Sequence, residues 1–144
     1  MKDLKMKDQL QRFVEAQEQD YFTALREIKN GRKKSHWMWY IFPQLKSLGF
    51  SSTSRFYGIG DIIEAEEYLK HPLLGQRLQE ISAALLELET NDPQRVMGSP
   101  DDLKLKSSMT LFSELPSANP VFLKVLDKFF EGEKDSKTLE ILQK

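Results

Sequence analysis

Arg32, Lys33, Lys34, His36, Trp37, Trp39 and Gln44 put three cations, one of the two histidines and both tryptophans into one short run. Cations hold an anion, and flat rings stack or exclude water, so the run is a candidate site for an anionic, nucleotide-like ligand. Trp37 and Trp39 fall on alternate faces of an extended chain and on different sides of a helix. One ring can therefore enter the core while the other lines a cleft. The plainer alternative puts both rings in the core and leaves the cations as a solvated patch at a helix end.

A second block runs from Ser99 to Phe112. On a helix Asp101, Lys104 and Ser108 share one face, and Leu105, Met109 and Phe112 share another. Asp101 or Asp102 is a candidate general base or a ligand for hydroxyl groups, with His36 as the third catalytic candidate. A carboxylate does such work only where its pKa and position suit the proton moved. The alternative is a capped helix with ordinary surface charges. Arg55 and Tyr57 lie in a Ser- and Gly-rich stretch. There Gly58 and Gly60 are most simply a turn, because their spacing lacks the strand-to-helix setting of a dinucleotide fingerprint. His71, before Pro72, reads as a cap or a packed junction. With two histidines and no HExxH spacing, no metal site is expected. No nucleophile-elbow pattern supports a Ser-His-Asp triad.

These residues need a scaffold. The chain has 144 residues, 40% of them hydrophobic, which suits one domain spanning 1–144 in which residues 1–7 need no order. A net charge of -1 makes a general nucleic-acid binder a poor fit. The absence of Cys removes disulfides and thiolate chemistry. The charged N-terminus lacks the apolar core of a secretory signal, and no apolar run reaches the roughly 20 residues of a membrane span. No membrane partner is expected, and the default location is cytoplasmic.

The pattern is all-α, a bundle of about six to eight helices with one long ordered loop near residues 43–60. A stripe of Phe13, Ala16, Ala24, Leu25 and Ile28 runs to a stop at Asn30-Gly31. Asp61 caps a helix, with Glu64 as its capping-box partner. His71-Pro72 ends that helix, and Pro72 suits the first position of the next, whose stripe is Leu74, Leu78, Ile81, Leu85 and Leu88. Asn91-Asp92-Pro93 opens a short helix through Met97. Ser99 should cap a helix with Pro100 at its first position, running to about Glu114. Asn119-Pro120 starts another helix that Gly132 closes, and a last one follows Asp135.

The blocks His36 to Gln44, Tyr57-Gly58-Ile59, Tyr68 to Leu78 and Asp101 to Phe112, in this order and spacing, resemble the bacterial family catalogued as domain of unknown function 1810, over roughly residues 8 to 142. The resemblance implies an all-helical cytoplasmic domain and brings no catalytic residue. Some relatives carry a calpastatin label, yet capped helices rich in aromatics are unlike a disordered calpain inhibitor.

The function expected from the residues is binding, with hydrolysis as an extension, of an anionic nucleotide-like molecule such as an ADP-ribose or NAD derivative. Arg32, Lys34, Trp37, Trp39, Gln44, Arg55, Tyr57, Lys104 and Ser108 are the binding candidates, and no cofactor is expected. The competing expectation is a noncatalytic module that binds a protein partner through the aromatic-basic surface. A cleft holding Lys34, His36 and Asp102 would favour the first, and a flat exposed tryptophan patch the second. A weaker option, RNA, would show steep salt dependence.

Overall fold

The first helix is long because its buried positions keep helical spacing for its whole described length. Leu10, Phe13, Gln17, Tyr21, Ala24 and Ile28 are all buried, and they form α1 (Lys2–Lys29). The computed structural model describes the backbone of residues 2–143 and side chains from Gln9 on. Residues 2–7, which the sequence leaves without need of order, form the first part of α1, and Met1 and Lys144 lie outside the described residues. Gly31, at φ 85°, ends the helix in the left-handed region that glycine alone enters cheaply.

Nine α-helices follow one another among the described residues: α1, α2 (Met38–Ile41), α3 (Ser52–Phe56), α4 (Ile62–Lys70), α5 (Leu74–Leu86), α6 (Pro93–Met97), α7 (Asp101–Ser113), α8 (Val121–Phe130) and α9 (Ser136–Leu142). The fold class is all-α as read from the pattern. The extra elements arise inside the stretch read as a loop. Residues 46–48 form a single 3-10 turn. Ser51 and Ser54 cap each other reciprocally and so start α3. A single parallel bridge between Leu45 and Ile59 closes the stretch.

α1 packs on α5, α4 and α2, while α7 packs on α8, α6 and α9. An aromatic row joins the two halves. Phe13 meets Tyr68 edge-on with centroids 5.0 Å apart, Tyr68 meets Phe112 at 5.5 Å, and Phe112 meets Phe122 at 5.8 Å. Gln17 is the polar member of the α1 stripe. Its amide N–H groups donate to the Tyr40 carbonyl at 2.7 Å and to the Tyr68 hydroxyl at 3.0 Å, while its Oε1 is buried without a partner among the described residues.

Three cap expectations change in detail. Asp61 accepts from Glu64 N at 2.9 Å as expected, but the Glu64 carboxylate reaches one residue further back, to Gly60 N at 2.8 Å. Pro72 precedes α5 without entering it. The helix is opened by His71, whose Nδ1 accepts from the N–H groups of Leu73 and Leu74 at 3.1 and 3.2 Å. Ser99 does not cap α7. Pro100 stands at the cap, and Asp102 N donates to the Gly98 carbonyl at 2.9 Å instead.

Candidate functional site

A buried acid sets the path of the basic-aromatic run. Glu27 sits in the last turn of α1, 8% exposed. Its Oε1 accepts from Lys34 N at 2.8 Å, Ser35 N at 2.9 Å and the Trp37 indole N–H at 2.9 Å, and its Oε2 accepts from the Ser35 hydroxyl. Burial alone would raise its pKa. The hydrogen bonds from the Ser35 hydroxyl, Lys34 N, Trp37 and Ser35 N outweigh that and bring it down to about 2. Sequence reasoning passed over Glu27. Its signal was an acid between Ala24 and Ile28 on the apolar stripe, in the last helical turn, where negative charge is disfavoured unless it has donors.

Lys33 carries the run to α7. Its N–H donates to the Val96 carbonyl at 2.7 Å. Its ammonium donates to Ser35 O at 2.6 Å, pairs with Asp101 Oδ2 at 2.9 Å and lies 5.0 Å from the Trp37 ring centre. The other Asp101 oxygen is 3.6 Å from Lys104 Nζ, and Lys104 in turn lies 5.5 Å from the Trp39 ring centre. The two flagged blocks therefore meet, through a Lys33–Asp101–Lys104 chain of charge.

A groove opens beside that chain. Its inner end, about 10 Å³, is walled by Met38, Trp39, Phe42, Tyr57 and Gly58. Gln44, Ser54 and Lys104 line both this end and a continuation of about 180 Å³ that reaches Leu48, Gly49, Phe50 and Ser51. Phe50 stands at this outer end almost wholly in solvent, 98% exposed. Gly58 is needed here because a Cβ would run into the Lys46 backbone.

Of the expected binding residues, Trp39, Gln44, Tyr57 and Lys104 come together in this groove. Arg32 lies elsewhere, in a recess with Lys33 and Arg95. Arg55 lies in a third recess with Arg12, Lys46 and the exposed ring of Phe56. Two candidates belong to the core and cannot touch a ligand. Trp37 is fully buried with its N–H spent on Glu27, and Ser108 is fully buried with no hydrogen-bond partner for its hydroxyl among the described residues. Lys34 and His36 are exposed and Asp101 and Asp102 half-buried, yet none of the four lines these cavities. The cleft that would unite Lys34, His36 and Asp102 is not formed by them, and the tryptophans make no flat exposed patch.

Among the described residues no helix is long and apolar enough to cross a membrane. What the geometry defines is an all-α bundle with a small aromatic groove beside a lysine-clamped carboxylate. The chain belongs to the family described as protein of unknown function (DUF1810), whose model matches residues 7–142. It is similar to the crystal structure of the conserved hypothetical protein Rv1873 from Mycobacterium tuberculosis. The identity is 43%, the TM-score 0.91, and the match covers 94% of this chain and 96% of that one. No curated protein matches the chain.

Proposed function

We propose that the protein binds an anionic, nucleotide-like small molecule, of the ADP-ribose or NAD type, in the groove between α2 and the start of α7. The observation that carries this reading is the convergence of Trp39, Gln44, Tyr57 and Lys104, from three separate stretches of sequence, on one groove. Lys104 supplies the cation, Gln44 a carboxamide, and Trp39 and Tyr57 the half-buried aromatic walls. The groove is smaller than the roughly 300 Å³ of a pocket that engulfs a drug-sized ligand. It therefore grips one group of the ligand and leaves the rest at the surface. Hydrolysis would ask Asp101 to activate water, but each of its oxygens already faces a lysine. The reading is binding rather than turnover.

Thermal unfolding with ADP-ribose, NAD and simple nucleotides tests it. A ligand at 100 times its Kd adds about 2.7 kcal/mol, which raises the midpoint of a domain this size by roughly 5 to 10 degrees. The rise should vanish in Lys104→Gln and in Gln44→Ala. No rise with any ligand, or a rise that both variants keep, sinks the reading.

Phe50 favours a second reading, in which the groove's outer end docks a protein. Exposing a whole phenylalanine forgoes about 2 kcal/mol of burial, and a partner would recover it. Phe50→Ser should then abolish partner binding and leave small-ligand stabilisation intact.

A further inference from the structure

A recess larger than the aromatic groove lies on another face of the fold. It lies between the end of α1 and α6, encloses about 550 Å³, and is lined by Asn30, Arg32, Lys33, Gln94, Arg95 and Gly98 with Gly31 between them. A trough of about 510 Å³ shares Asn30, Gly31 and Arg95 with it and adds Lys29, Thr90 and Glu89.

Its charge is one-sided. Lys29, Arg32, Lys33 and Arg95 face Glu89 alone among the lining residues. Lys33 is held by Asp101, but Lys29, Arg32 and Arg95 are in no ion pair among the described residues. The C-terminus of α1 points its carbonyls here and contributes about half a negative charge. That half charge and Glu89 together offset fewer than two of the three free cations. A bound cation is therefore disfavoured and an anion favoured.

The walls suit a compact oligophosphate. Two guanidiniums present planar forks that match phosphate oxygens in pairs, which a lone lysine cannot do. The carboxamides of Asn30 and Gln94 add neutral donors at the same surface. Gly31 and Gly98 both sit at positive φ, 85° and 77°, and a Cβ on either would meet nothing within 4 Å. Bare backbone there leaves the recess open to close approach. The N–H groups of Gly31, Arg32, Lys33 and Gly98 are all spent on carbonyls, so side chains must do the binding.

From this we infer that the recess between α1 and α6 is a second anion site, separate from the aromatic groove, that takes a small ligand bearing two or more linked phosphates. It uses Arg95 and Gln94, which no sequence motif singled out, together with Asn30, Arg32 and Lys33. The inference does not rest on the groove: its residues differ apart from the Asp101 link.

Calorimetric titration of the full chain with inorganic pyrophosphate tests it, with orthophosphate in parallel. Pyrophosphate should bind more tightly than orthophosphate by about tenfold, because a second phosphate engages a second arginine. Arg32→Gln and Arg95→Gln should each weaken pyrophosphate by about tenfold. Lys124→Gln, an exposed charge on α8 that is not among the lining residues, should change it by less than about twofold, as should Gln44→Ala in the aromatic groove. Circular dichroism confirms that the variants fold, since both arginines are exposed. Pyrophosphate binding weaker than about 1 mM overturns the inference. So do arginine variants that bind normally, a loss matched by Lys124→Gln, or a loss confined to Gln44→Ala.

Discussion

The Glu27 carboxylate accepts the Trp37 indole N–H at 2.9 Å across ten residues of chain, and the basic-aromatic run is folded around that bond. The same carboxylate holds Lys34 N, Ser35 N and the Ser35 hydroxyl. Glu27→Ala would leave buried donors without an acceptor and should destabilise the protein by roughly 3 to 5 kcal/mol. The denaturant midpoint measures this.

Glu27 also sets part of the acid sensitivity. Its folded pKa, about 2, lies below the unfolded 4.5, so the folded state binds fewer protons in that window. Its contribution, about 3 kcal/mol, is complete above pH 4.5 and is lost as the pH falls toward 2. Glu27→Gln cannot titrate. The stability gap between it and the wild type should therefore be widest at neutral pH and should close on acidification through this range. A gap that stays constant with pH would show that the carboxylate is not held as the geometry indicates.

Gly58 and Gly31 should respond differently to alanine. At Gly58 a Cβ meets the Lys46 backbone next to the Leu45–Ile59 bridge, so neither side can yield cheaply. The cost should be about 1 to 3 kcal/mol, and groove binding should weaken with it. At Gly31 the space is open and only the positive φ resists, which should cost about 1 kcal/mol and spare the groove. Stability and ligand titrations on the two variants separate these effects.

Helices with an unambiguous stripe and polar cap were legible from sequence. Leu74, Leu78, Ile81 and Leu85 are all buried as the spacing required, while Leu88 falls beyond the end of α5 and is only partly buried; Asp92, Asn119 and Asp135 each accept the N–H groups that open α6, α8 and α9. α3 was not legible, because five residues offer no periodicity and only the Ser51–Ser54 pair defines its start. Ser108 was misplaced for a different reason. Sharing a face with Asp101 and Lys104 would expose Ser108 only if α7 had one wet face along its length, whereas α7 is buried on every side from Ser107 to Phe112. The meeting of Lys33 with Asp101 joins residues far apart in the chain, and no local pattern encodes that.

The two tryptophans report on different places, which makes fluorescence a sharp test of the groove. Trp37 is sealed in the core and bonded to Glu27, while Trp39 is half-buried beside Lys104 and Tyr57. In Trp39→Phe the remaining emission should resist acrylamide and ignore groove ligands. A Trp39→Phe protein that is still quenched by ligand would move the binding event away from the groove.

His71 ends α4 and opens α5 with a single ring. Nδ1 accepts from the N–H groups of Leu73 and Leu74, so it must carry no proton there. Burial lowers its pKa below 6.5, because the charged ring would lose water. The folded state therefore binds fewer protons than the unfolded one. Stability from this residue is complete above 6.5 and is lost as the pH falls through the lowered folded value. Asparagine at 71 keeps a capping oxygen that does not titrate, whereas alanine keeps none. His71→Ala should cost about 1 kcal/mol near pH 8 and less near pH 5, where protonation of the unfolded wild-type chain has removed part of that stability. His71→Asn should match the wild type near pH 8 and lose less than it on going to pH 5. Equal acid losses in the wild type and His71→Asn, measured as denaturant midpoints, would show that the α4–α5 junction does not depend on a neutral His71.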